Sequence, residues 1–208
     1  MLLFDLDGTI TDSNGIWTEV DARFLGQRGL EVTQEYLYTI APSIVPLAAR
    51  LTRDYYHLDM TPEAIIEEWR EGALEGYRQV DLKPGVLDFL TQCRERGETM
   101  ALVTACDPVL CQAALEHHDL VPFFQDLVFA QDIGLEKRNP ELFLRTAQQL
   151  GVSPTECVLY DDAPPNCIAA KSVGMTTVGV YDPFYSDLQD ELKQNCDRYI
   201  RSFTELLA

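Results

Sequence analysis

From Lys83 onward the chain alternates short apolar runs with amphipathic stretches, and this alternation restricts the fold more than any other feature. Pro84 to Arg96 places Val86, Phe89, Leu90 and Cys93 on one helical face and is stopped by Gly97. Thr99 to Val103 reads as a strand, Pro108 to about His118 as a helix, and Asp126 to Ala130 as a second strand. Pro140 to Leu150 is a helix ended by Gly151; Cys157 to Tyr160, Pro164 to Val173 and Met175 to Val180 follow as strand, helix and strand. Met1 to Phe4 is one more apolar run of strand length. Short strands without polar alternation, separated by helices, predict a parallel sheet covered on both faces. The acidic stretch from Asp182 to Asp197 reads as a solvated helix. Tyr199-Ile200 is then a last strand, and Phe203 to Leu207 a closing helical turn.

Between the first strand and Lys83 the pattern is helical. Trp17, Val20 and Phe24 fall at i, i+3 and i+7, and Ile66, Trp69, Ala73 and Tyr77 repeat that spacing in a later helix. Thr61-Pro62, followed by Glu63, marks a helix start. Pro42 and Pro46 divide the middle, so a bundle of about four short helices is expected. The polar TDSNG stretch, Thr11 to Gly15, reads as a hinge. The fold class predicted is therefore α/β: a Rossmann-like parallel sheet core (1–14 and 81–208) with an inserted helical-bundle cap domain (15–80).

The strand ends carry the chemistry. Met1 to Phe4 runs into Asp5, Asp7 and Gly8; residues two apart on an extended chain point the same way, and Gly8 permits a sharp turn. Two acids at the carboxyl end of a strand call for a cation or a proton, although an acidic β-turn would use the same residues. Thr104 and Ala105 end the next strand in LVTAC, and Lys137 stands alone between Lys83 and Lys171. Asp161 and Asp162 follow the apolar run at Tyr160 and repeat the arrangement at Asp5 and Asp7. In a parallel sheet these ends share one edge, where open α/β sheets place ligands. Acids, a hydroxyl and a lysine gathered there fit a magnesium and phosphate site.

Charge sharpens this reading. The 208 residues carry a formal net charge of −18, which repels nucleic acid and anionic membranes and leaves both outside the expected partners. An anion site must therefore be locally positive, through a metal or a few basic side chains. Hydrophobic residues at 46% and charged residues at 24% suit a globular protein. No apolar run is long enough for a membrane span and no secretory leader precedes the first strand, so the expected location is the cytoplasm. Cys93, Cys106, Cys111, Cys157, Cys167 and Cys196 form no C-x-x-C pair, and reduced, mostly buried thiols are expected.

Taken in order and spacing, FDLDGTITDS, LVTA, EKRNPELFLRTAQQLGV and LYDDAPPNCIAAKSVGM resemble the four motifs of the haloacid dehalogenase-like hydrolase superfamily. The resemblance spans essentially the whole chain. It points to the group with a helical cap after the first strand, in the β-phosphoglucomutase and phosphoglycolate phosphatase branch. It implies that Asp5 is a nucleophile forming an aspartyl phosphate and Asp7 a general acid/base. It further implies that Thr104, the Ala105 N–H and Lys137 bind the phosphoryl group. Asp5, the Asp7 carbonyl and Asp162 would hold Mg²⁺, with Asp161 as a further ligand or an orienting partner. Two positions depart from the pattern: Asp161 stands where Glu is frequent, and Arg138 follows Lys137 where Pro is usual.

Within that superfamily the dehalogenases lack the second acid, so Asp7 argues against them. Phosphonatases need a cap lysine, and none occurs between Gly15 and Asp81. The same gap weakens a sugar-phosphate mutase reading, and the intact acid pair weakens that of a non-catalytic binding protein. The expectation is a monomeric, Mg²⁺-dependent phosphomonoester hydrolase acting on a small phosphorylated metabolite. Leaving-group recognition is expected from the cap, with Arg23, Arg28, Arg50, Arg53 and Ser43 as candidates.

Overall fold

The computed structural model describes residues 1–40 and 43–207, the side chains of Tyr38 and Thr39 excepted. Among the described residues six strands form one sheet: β1 (Leu2–Phe4), β2 (Met100–Thr104), β3 (Asp126–Phe129), β4 (Val158–Asp161), β5 (Thr176–Val180) and β6 (Arg198–Ile200). All neighbours are parallel, in the order β3-β2-β1-β4-β5-β6. Leu2, Leu3 and Phe4 lie opposite Met100, Ala101 and Leu102 on one side and Val158, Leu159 and Tyr160 on the other. This strand order is the doubly wound Rossmann arrangement, whose ligand crevice opens where the winding direction reverses. Here the reversal falls at β1, between β2 and β4, so the residues after Phe4, Thr104 and Tyr160 meet at one crevice.

Among the described residues four helices stand between β1 and the rest of the core: α1 (Asn14–Gly26), α2 (Gln34–Ile40), α3 (Val45–Tyr56) and α4 (Pro62–Tyr77). Then come α5 (Val86–Glu95), α6 (Pro108–His117), the short α7 (Ala130–Ile133), α8 (Pro140–Gln149), α9 (Pro164–Ser172) and α10 (Gln189–Asn195). Thr61 caps α4 by accepting the Ala64 N–H at 3.2 Å, with Pro62 pre-set for the first turn. Pro46 sits in the first turn of α3 and so opens a helix instead of interrupting one, while Pro42 lies outside the described residues. On α4 the buried face is Ile65, Trp69, Ala73 and Tyr77, spaced by four; Ile66, expected there from its i+3 spacing to Trp69, is only half-buried.

The acidic tail corrects the expectation of a solvated helix. Asp182 is 1% exposed, because its carboxylate pairs with Lys83 at 2.7 Å. Pro183–Leu188 is a 3₁₀ segment, and only Gln189–Asn195 is α-helical. Gln189 and Leu192 are buried there, so this segment is part of the packed structure.

The helical insert docks through α4. Arg70 forks onto Asp107, donating from Nε at 3.2 Å and Nη2 at 2.9 Å, and Asp107 also caps α6 by accepting the Val109 N–H at 2.9 Å. Beneath the sheet, Phe4 stacks on Tyr160 with centroids 4.7 Å apart, and Phe89 and Phe203 close around the pair. Phe203 is fully buried at the end of the chain. Phe203→Ala should therefore lower unfolding free energy by about 3–5 kcal/mol, read as a lower urea midpoint with unchanged slope.

Candidate active site

β1 ends on Asp5, which is buried and ion-paired through Oδ1 to Lys137 Nζ at 2.6 Å. The same ammonium reaches Asp161 Oδ2 at 2.6 Å, so one lysine bridges the ends of β1 and β4. Lys137 is 3% exposed, and the two carboxylates hold its pKa above the ordinary lysine range against the opposing effect of burial. Its position follows from a cap: Asn139 accepts the Glu141 N–H at the start of α8, fixing the loop that carries Lys137.

Burial pushes Asp5 up to about 7, with Lys137 opposing the shift and Asp161 and Asp7 adding to it. Asp162, buried beside Asp161 and Asp5, is pushed well above the usual carboxylate range, first by burial and then by those neighbours. Asp5, Asp161 and Asp162 each offer an oxygen within 4.8 Å of the others. Four acids and one ammonium in a buried crevice leave an excess of negative charge, which is the environment a hard divalent cation relieves.

The three acids are not equivalent. Asp161 is committed on both oxygens: Oδ2 holds Lys137, while Oδ1 accepts from the Ala163 N–H at 2.9 Å and Asn166 at 3.1 Å. Its contacts fix Lys137, whereas Asp5 and Asp162 each engage one side-chain donor through a single oxygen, Lys137 and Asn14 respectively. Asp162 Oδ2 accepts from Asn14 at 3.1 Å. Gly8 passes so close that a Cβ there would lie 2.1 Å from Asp162 Oδ2, and its φ is +76°. Glycine is required twice over, by the turn and by the carboxylate.

Asp7 faces the same crevice. Its Oδ1 accepts from Ser13 at 2.5 Å and from Tyr77 at 2.5 Å, and Tyr77 in turn accepts from Trp17 Nε1 at 2.8 Å. Burial raises the Asp7 pKa, and the Ser13 and Tyr77 donors pull it back. Ser13 comes from the first linker to the helical insert and Tyr77 from the end of α4, so both sides of the insert grip this carboxylate. Thr104 is fully buried and accepts the Cys106 N–H at 3.0 Å, leaving its own proton for another acceptor.

A cavity of about 490 Å³ joins these groups to the insert. On the core side it is lined by Asp5, Asp7, Thr104, Ala105, Lys137 and Asp162. Ser43 is also on its wall, whereas Arg23, Arg50 and Arg53 are not. Arg23 lies over Gly72 on α4, and Arg53 pairs with Asp54. Arg28 is forked onto Glu68 and stacked on Phe24. These arginines hold the insert together or face solvent. Arg138 reaches the cavity from the core side, paired with Glu136 at 2.8 Å.

With this geometry in view the relationship is clear. Residues 2–180 match the haloacid dehalogenase-like hydrolase family. The chain belongs to that family. It is 29% identical over 179 residues to fructose-1-phosphate phosphatase YqaB of Escherichia coli K12, covering 86% of this chain and 95% of that protein. Hexitol phosphatase B of Escherichia coli K12 is 24% identical over 212 residues, covering 99% and 93%. The fold matches a crystal structure of β-phosphoglucomutase from Clostridium difficile with a TM-score of 0.82, at 20% identity, over 99% of this chain and 92% of that one.

Sequence reading missed Asn14, Lys83, Asp182, Tyr77 and Asn166. Lys83 stands in the second linker and pairs with Asp182; Asp182 and Asp162 both accept from Asn14, at 3.0 and 3.1 Å. Both linkers are thereby tied to the acid cluster. Lys83→Met should cost about 3–5 kcal/mol of stability by stranding Asp182, and the double variant Lys83→Met/Asp182→Leu should recover most of it in urea titration. Asp21, on the cavity wall, is pushed up to about 6 by burial, opposed by the Tyr36 hydroxyl. Its folded state binds the proton more tightly than the unfolded chain, whose carboxyl titrates near 3.8. That contribution is full below pH 3.8 and is lost as pH rises through 6. Asp21→Asn should gain up to about 3 kcal/mol over the parent above the upper limit and nothing below the lower one, measured by thermal unfolding across pH.

Proposed function

We propose that this phosphatase hydrolyses a small phosphate monoester in two steps, through an aspartyl phosphate on Asp5. The observation that carries the reading is the Lys137 bridge. It positions Asp5 and favours its ionised form at the winding reversal, beside a second acid, Asp7, whose environment suits a proton carrier. In the first step an Asp5 oxygen attacks phosphorus, the ester P–O bond breaks, and Asp7 gives its proton to the departing alcohol. In the second, Asp7 takes a proton from water, the water oxygen attacks phosphorus, and Asp5 leaves as carboxylate with release of inorganic phosphate. Thr104, the Ala105 N–H and Lys137 would hold the phosphoryl oxygens while Asp161 steadies Lys137. Phosphoryl transfer needs chiefly such positioning and charge stabilisation.

Mg²⁺ held by the side chains of Asp5 and Asp162 and the carbonyl of Asp7 would neutralise the excess of buried acids and the charge of the phosphoryl group. Residues 15–80 act as the cap over a core of 1–14 and 81–208 in this reading. A soluble protein of the cytoplasm, working as a monomer on a phosphorylated metabolite, is its natural setting. A mutase would return a second phosphate ester where this reading requires free phosphate.

Hydrolysis of p-nitrophenyl phosphate tests the proposal. Release should need Mg²⁺, stop with a chelator, resume on adding the metal back, and fall about a thousandfold or more in Asp5→Asn. Retained turnover in Asp5→Asn, or release indifferent to chelation, would refute it.

A further inference from the structure

The cap half of the cavity has a charge pattern that the phosphoryl site does not explain. Asp21 in α1 is 4% exposed and lines the cavity, and the Tyr36 hydroxyl at 3.2 Å is its only side-chain donor among the described residues. Even that donor is shared. Tyr36 also contacts the Thr52 hydroxyl at 3.1 Å, and Thr52 spends its own proton on the Ala48 carbonyl at 2.8 Å. Two hydroxyl protons therefore serve three contacts, and the Asp21 carboxylate is left short of donors. A buried carboxylate so poorly satisfied is costly unless something else donates to it.

No cation of the insert answers it. Its six arginines, Arg23, Arg28, Arg50, Arg53, Arg70 and Arg78, all lie off this cavity wall, and the insert has no lysine. The basic groups on the wall are Lys137 and Arg138, both from the core side. The insert's side of the wall holds Trp17, Thr18, Gln34, Ser43 and Trp69 besides Asp21, with the rest of it aliphatic. Thr18, Gln34 and Ser43 carry groups that both donate and accept, which match hydroxyls and not an ammonium alone. The indole faces offer apolar area to C–H groups.

We infer that Asp21 is a specificity-determining residue that accepts a hydrogen bond from a hydroxyl of the leaving group, so that the substrate is the monophosphate of an uncharged polyol or sugar. The inference rests on the phosphatase reading and adds to it the character of the alcohol. A carboxylate or second phosphate on the leaving group would meet a buried negative charge with no basic partner from the cap. Esters such as phosphoglycolate are thereby rejected, although their phosphoryl group fits the core equally well.

The test is a ratio. With Mg²⁺ present, kcat/KM is measured for a hexitol monophosphate, phosphoglycolate and phosphoethanolamine, in the wild-type protein and in Asp21→Asn. The wild-type protein should favour the hexitol ester over phosphoglycolate by about a hundredfold, and Asp21→Asn should shrink that ratio about tenfold or more. Partial misfolding lowers both rates together and leaves the ratio in place, so a merely structural role for Asp21 predicts no change. An unchanged ratio overturns the inference. Preference for phosphoethanolamine over the hexitol ester overturns it too, by making Asp21 the partner of an amine. If no ester is hydrolysed, p-nitrophenyl phosphate included, the phosphatase reading itself falls. Calorimetric binding to Asp5→Asn then still decides the subsite: tighter binding of the hexitol ester than of phosphoglycolate upholds it, and equal binding removes it.

Discussion

Everything in the crevice depends on one ammonium group. Lys137 is buried between Asp5 and Asp161 at 2.6 Å from each, and it is the only positive charge in contact with the converging acids among the described residues. Without it the ends of β1 and β4 would present facing carboxylates across adjacent strands, which repel strongly at low local dielectric. The bridge therefore does two things at once. It lets a parallel sheet bring its acids together, and it divides their duties, because an oxygen spent on Lys137 is not available to a cation or a substrate.

The acids are also where the helical insert is anchored. Ser13 and Asn14 from the first linker donate to Asp7 and Asp162, and Tyr77 at the end of α4 donates to Asp7. Lys83 from the second linker reaches Asp182, which shares Asn14 with Asp162. The orientation of the insert and the positions of the carboxylates are thus tied by direct hydrogen bonds. The Arg70–Asp107 fork sets the other end of the contact, where α4 rests on the start of α6.

Much of this was legible in the chain. Outside the acidic tail, strands and core helices fell within a few residues of their expected bounds, because period and length decide them locally, and the strand ends with the lone Lys137 named Asp5, Asp7, Thr104, Lys137 and Asp162 together. What escaped were groups whose partners lie far along the chain. Lys83 and Asp182 each look like one more surface charge until the fold brings them to 2.7 Å. Tyr77 reads as core packing and Asp182 as part of an acidic run; nothing nearby in sequence marks either as a neighbour of the site. The arginines misled for the converse reason. Local spacing shows that Arg50 and Arg53 share a helix face, but not that the face turns away from the cavity. Asp21 drew no notice because an acid on an amphipathic helix is ordinarily solvated.

The central place of β1 has a consequence for how the chain folds. It is three residues long, buried on both sides, and hydrogen-bonded to strands that begin at Met100 and Val158. Such non-local pairing closes large loops before it is rewarded, and it slows folding relative to helices that pack on their neighbours. The helices of the insert can form early from local contacts, while the strand that precedes them waits. During synthesis Asp5 emerges well before Lys137 and Asp161, and gains them only after the intervening chain has followed. The crevice is thus built from segments that lie far apart along the chain.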